Sequence, residues 1–380
     1  GSYPLNLTTV NNTLFFSAND ALRGYELWKS DGTEAGTVIV KDINPNGSLS
    51  SNLKYFTLYN DLLYFTADDG QNGMELWKSD GTETGTVMVK NINESGSSSP
   101  EFLTVHNGKL YFYASDGING FEFWQSDGSE AGTSMIKNIN PAKSNFSSNS
   151  SSPFMVSNAN NLFFWADDSI HGTELWKTDG TADGTALVKD FTPGKTPSES
   201  LFYDKAYAIN GSIYFISKTG VLWKSDGTAC GTFPITGENQ VYPGAFKINN
   251  NLYFSASTAD VGAELFKVDV SAAPALGKTT AIIKQPTDQS ACELKYFTFS
   301  VLAEGEDLNY QWYRNGKPIG ANSSSFTFNY ASTTDTGYYK ANVSGSCGSE
   351  IISDSARLTV NLGPILETLA SQSGCEGGLN

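Results

Sequence analysis

Histidine, basic charge and long apolar runs are all scarce in this chain. Two histidines, His106 and His171, leave little material for imidazole catalysis or a zinc site. Lys and Arg number 24 against 40 acidic residues, a net charge of −16 that repels phosphate backbones and anionic lipid, so neither nucleic acid nor membrane insertion is expected. No apolar run approaches the roughly 20 residues that span a bilayer, and no basic segment followed by an apolar one opens the chain. Leu and Ala are sparse for a helical protein, and a 3.6-residue periodicity is missing. The four cysteines form no CxxC pair, which argues against a redox or zinc-knuckle motif.

Aromatic residues make up 13% of the 380, and Gly, Asn, Ser and Thr crowd the gaps between short apolar runs. That is an all-β vocabulary, in a chain long enough for more than one domain. The segment Glu26-Leu-Trp-Lys-Ser-Asp-Gly-Thr-Glu-Ala-Gly-Thr37 returns from Glu75, Glu122, Glu174 and Val221 and, decayed, from Glu264, at intervals of 49, 47, 52, 47 and 43 residues. Each unit reads as strand, turn, strand, polar loop, strand, Asp-Gly turn, strand, which is the grammar of a β-propeller blade. Runs such as Leu162-Phe-Phe-Trp165 are apolar on both faces, as sheets covered on each side require. A helical solenoid lacks its periodicity here, so about six four-stranded blades are expected over 1–270, with seven as the alternative.

This repeat resembles the ELWxxDGT family of large secreted proteins from gliding and marine Bacteroidetes, over about residues 1–268. Gly1-Ser-Tyr-Pro-Leu-Asn-Leu7 aligns with Gly47-Ser-Leu-Ser-Ser-Asn-Leu53, so an upstream strand is expected to complete the ring. After a linker at 271–283, Tyr310-Gln-Trp-Tyr313 and Asp335-Thr-Gly-Tyr-Tyr339 resemble an immunoglobulin-like sandwich at 284–361. Trp312 would be its core tryptophan and Tyr339 its tyrosine corner. Val301 and Ala341 stand where the family's usual cysteines would be, and the flanks of Cys292 and Cys347 resemble bacterial surface domains that bridge those two places instead. The resemblance therefore implies a Cys292–Cys347 disulfide. Gln372-Ser-Gly-Cys375 repeats Gln289-Ser-Ala-Cys292, so 362–380 reads as the start of a second sandwich whose Cys375 has no partner here.

Several residues invite a functional reading. Asp68, Asp69, Asp167 and Asp168, in the loop before the ELW strand, are the candidate calcium ligands, although other units carry Asn19 or Ser115 and the spacing is not that of an EF-hand. The Asp-Gly pairs at 31, 80, 127, 179 and 226 are ordinary hairpin chemistry. Trp28, Trp77, Trp124, Trp176 and Trp223 recur at one strand position, which marks core rather than sugar-stacking platforms. The repeated glutamates at 26, 75, 122, 174 and 264 point to a structural hydrogen bond, and nothing singles out a catalytic pair. Cys230 replaces Ala35 of the first unit and reads as a buried structural thiol. Asp168-Ser-Ile and Asp354-Ser-Ala resemble a short Bacteroidetes O-glycosylation signal.

The expected function is non-enzymatic: an extracellular adhesin or surface-filament segment, with the propeller as binding or spacer module and the sandwiches as stalk. The resemblance implies type IX secretion and gliding motility, with a surface polysaccharide, glycan or protein as ligand. A carbohydrate-binding accessory region of a secreted polysaccharide-degrading enzyme is the alternative, and a hydrolase or lyase site in the central channel a third.

Overall fold

The computed structural model describes the chain except residues 142–154, 192–201, 237–240, 243, 259–261, 269–278, 306, 346 and 363–380. It is all-β, with one 3-10 turn at Thr333–Asp335 among the described residues. Two compact units are present, 1–228 with 234–272, and 229–233 with 273–380.

The first unit is built from the repeat. Its first sheet is an antiparallel meander of Leu5–Val10, Thr13–Asn19, Tyr25–Ser30 and Val38–Lys41. The second comprises Lys54–Tyr59, Leu62–Asp68, Met74–Ser79 and Val87–Lys90, and the same order recurs over 101–137, 155–189 and 202–234. A sixth sheet has three strands, Phe246–Ile248, Asn251–Thr258 and Gly262–Lys267.

Alternation along the two middle strands gives each sheet two apolar faces. In the first sheet Phe15 pairs with Lys29 and Ser17 with Leu27 on one face, here the leading face, while Phe16 pairs with Trp28 and Ala18 with Glu26 on the trailing face. The leading face of each sheet packs on the trailing face of the next. Phe15 and Leu27 meet Leu63, Phe65 and Trp77; Tyr64 and Leu76 meet Leu110, Phe112 and Trp124; Tyr111 and Phe123 meet Phe164 and Trp176. Phe163 and Leu175 then meet Ile213 and Phe215, and Tyr214 and Leu222 meet Leu252 and Phe254. Five such joints hold six sheets in a row. No strand pairing or core cluster among the described residues joins the sixth sheet to the first, so the row is open.

Lysines stitch the joints. Lys29 Nζ donates to the Gly81 carbonyl and Lys78 Nζ to that of Gly128, both at 2.8 Å. From the outer strands, Lys41, Lys90 and Lys137 donate to the carbonyls of Thr86, Thr133 and Thr185 at 2.7–2.8 Å. Each acceptor lies in the Asp-Gly turn of the following sheet, so the turn is at once a hairpin and a plug.

The second unit is a sandwich. One sheet runs Gln289–Cys292, Ala356–Asn361, Gly337–Ser344, Asn309–Arg314 and Lys317–Ile319, with Gln289–Cys292 parallel to Ala356–Asn361. Two further ladders pair Ala281–Lys284 with Leu302–Glu304 and Phe297–Ser300 with Ser325–Phe328. Residues 281–283 of the strand Ala281–Lys284 fall in the stretch expected to be linker: Ala281 and Ile282 pair with Glu304 and Ala303, and Ile282 packs on the core. Of the expected second sandwich only Leu362 is described.

Candidate functional site

The repeated glutamates are consumed by the fold. Glu26, Glu75, Glu122 and Glu174 are fully buried. Each accepts the backbone N–H of the residue 17 positions on, Ile43, Ile92, Ile139 and Phe191, at 2.7–3.0 Å. Glu26 and Glu75 also accept the hydroxyls of Ser51 and Ser98 at 2.6 Å. Each carboxyl thus ties its own sheet to the connection leading into the next. Burial pushes the Glu26 carboxyl up to about 7, and raises Glu75 as well. Glu264, on the sixth sheet, is exposed.

The tryptophans are equally committed. Trp77, Trp124 and Trp176 are buried in the joints, while Trp28, on the trailing face of the first sheet, and Trp223 are half-buried. Trp165, present in one unit only, is fully buried. An aromatic face packed in this way is closed to a sugar ring.

The loop aspartates cap their own turns. Asp69 Oδ1 accepts the N–H of Gln71 and Asn72, and its Oδ2 the Asn72 amide, at 2.7–2.9 Å. Asp168 does the same for Ile170 and His171, with His171 Nδ1 at 2.7 Å from Oδ2. Asp68 and Asp167 accept the N–H of Gly70 and Ser169. Their oxygens thus already serve donors of the same loops, and among the described residues no three His, Cys, Asp or Glu side chains gather at one point. The Asp168 hydrogen bond raises the His171 pKa, whereas burial lowers that of His106, which lies beside the Tyr111 ring.

A polar cleft of about 170 Å³ opens where the first strands of the second and third sheets run side by side, lined by Asn52, Lys54, Tyr55, Met74, Ser99, Pro100 and Glu101. Both strands bulge there: Tyr55 and Phe102 adopt φ of +56° and +58°, and Asn52 and Ser99 +49° and +47°. The left-handed region is costly for side chains of this size, and a bulge re-aims the residue that carries it. The Tyr55 ring forms one wall, backed by the Phe102 ring at 5.2 Å. Burial and then the Glu101 charge raise the Tyr55 pKa, so the phenol stays a donor. In the preceding joint the equivalent position is Asn6, whose amide donates to the Leu53 carbonyl. Ammonium, carboxylate, amide, phenol and hydroxyl around an aromatic wall can bind a small hydrogen-bonding group.

In the second unit, Trp312 is fully buried and its Nε1 donates to the Ser323 carbonyl at 3.0 Å. The Tyr339 hydroxyl donates to the Asp335 carbonyl at 2.6 Å, and Val301 and Ala341 pack with both rings in the core. Cys347 takes a different partner from the one the resemblance implied. It is disulfide-bonded to Cys230, with Cα atoms 5.1 Å apart, so Cys230 is no isolated thiol. The segment that carries Cys230 clusters with the sandwich, which brings its Cα to bridging distance from Cys347. Cys292 is also bonded, and no described cysteine is free; Cys375 lies outside the described residues.

No family model and no curated protein matches this chain. Among solved structures, a titin M10–obscurin-like 1 Ig complex is 18% identical over 23% of this chain and 99% of that one, with a TM-score of 0.21. Titin domain M7 is 24% identical over 23% of this chain and 99% of its own, and Rst D1-D2 19% identical over 23% and 51%, both at a TM-score of 0.21. No described helix is long and apolar enough to cross a membrane.

Proposed function

We propose that this chain is a non-enzymatic extracellular segment of a cell-surface adhesin or filament, in which the sheet array, read as an incomplete β-propeller, presents a ligand site and the sandwich serves as stalk. The observation that carries the reading is that Glu26, Glu75, Glu122 and Glu174 and the buried indoles are spent on structure, while a variation between units opens the Lys54–Tyr55–Glu101 cleft. Its size and mixed polarity suit one sugar residue of a surface polysaccharide. The disulfide is compatible with an oxidising compartment.

Screening the chain against polysaccharide and host-glycan arrays, with and without EDTA, tests this. Saturable binding that survives EDTA and is lost in Lys54→Ala is the expected result. Binding abolished by EDTA would move the site to the loop aspartates, and no binding under either condition would leave only a spacer role.

A further inference from the structure

The row of sheets ends in two half-joints: an open leading face on the sixth sheet and, on the first, a bare Asp-Gly turn beside the half-buried Trp28. On the sixth sheet, Tyr253 pairs with Lys267 in the register that Phe15 and Lys29, or Tyr64 and Lys78, hold on earlier leading faces. There, Leu265 is 63% exposed, although Leu27, Leu76, Leu175 and Leu222 at the same position are 0% exposed. At the other end the plug is bare. Gly32 and Thr37 of the first Asp-Gly turn are exposed, whereas Thr86, Thr133, Thr185 and Thr232 are fully buried by the sheet before them.

We propose that a second copy of this chain completes the joint head to tail, its first Asp-Gly turn seating on the sixth sheet of its neighbour. Lys267 Nζ then donates to the Gly32 carbonyl as Lys29 does to Gly81 and Lys78 to Gly128, and Leu265 is covered by the trailing face that holds Trp28. A second copy is the occupant because both halves belong to one chain, the first Asp-Gly turn and Leu265 are exposed at the same time, and the five internal joints show the chemistry by which they fit. Among the described residues the sixth sheet has no counterpart of the outer strand that supplies the second lysine elsewhere, and a joint between separate chains forms in proportion to concentration. The contact is heterologous, which makes chains or rings rather than a closed two-fold dimer. It requires no ligand and stands apart from the cleft.

The test is the mass of the full chain by sedimentation across a wide concentration range, in a Cys292→Ser, Cys375→Ser background that leaves no thiol outside the Cys230–Cys347 bond to link chains. Zero-length cross-linking of a mixture of light and heavy isotope-labelled chains accompanies it. Mass rising with concentration, a Lys267–Asp31 cross-link between light and heavy chains, and a monomeric Leu265→Arg variant are expected. That variant changes an exposed side chain outside every core cluster, so its folding is unaffected, and it should still cap wild-type chains through its intact first sheet. A monomer at every concentration, cross-links only within one chain, or undiminished association of Leu265→Arg would each overturn the proposal.

Discussion

A carboxyl that is buried at the same register in four successive sheets, and receives a backbone N–H each time, works as a clamp whose strength depends on its proton. Burial lifts Glu26 to about 7, above the usual carboxylate value. The folded state therefore binds a proton that the unfolded state releases, and unfolding free energy falls as pH rises through the interval from about 4.5 to about 7. Urea denaturation at a series of pH values should show the loss, with Glu75 contributing in the same direction. Glu26→Gln keeps an acceptor for the Ile43 N–H without the titration, so its stability should vary less over that interval. An unchanged pH profile in the variant would mean that the carboxyl is not the source.

At the scale of the element, the Asp-Gly turn repeats one hydrogen-bond set. Asp80 Oδ1 accepts the Thr82 N–H and hydroxyl at 2.8 and 2.7 Å, and the Gly85 N–H reaches Thr82 Oγ1 at 2.9 Å. A Cβ on Gly85 would stand 2.1 Å from Asp80 Oδ1, so Gly85→Ala must expel the carboxylate. The expected cost is about 1–2 kcal/mol, from hydrogen bonds lost at a partly exposed turn. Adding Asp80→Ala should cost little more, a non-additivity that a double-mutant cycle measures. Turns of this kind were legible in the sequence because their chemistry is local: Asp, Gly and Thr at fixed offsets. The strands were legible for the same reason. The cleft was not, since Lys54 and Glu101 occupy the same position in successive units and each looks like ordinary surface variation until the two strands lie side by side. Reversal of charge at that position, together with aromatic residues on the following bulges, is the signal that could have found it.

For the whole molecule, what escaped the sequence is what depends on distant partners. The flanks of Cys292 and Cys347 pointed to a bridge inside the sandwich, but repeat alignment placed Cys230 only as a substituted alanine, and its distance from Cys347 is a property of the folded chain. Peptide mapping without reduction should recover Cys230 and Cys347 in one linked pair. A Cys292–Cys347 peptide in its place would restore the pairing implied by resemblance. The openness of the row was equally hidden, because Glu264-Leu-Phe-Lys267 shows where a sixth sheet lies but not whether anything covers it.

The Cys230–Cys347 bond, across a sequence separation of 117, also sets the path of load through the chain. A molecule held at one end and pulled at the other transmits force along its covalent shortcut. Everything between the two cysteines, the sixth sheet and the Trp312–Tyr339 core included, hangs beside that path and feels no tension while the bridge is intact. Reduction would release about 400 Å of hidden contour length, taken at about 3.4 Å per extended residue. A chain under load would thus change from a short link into a long one by the loss of a single bond.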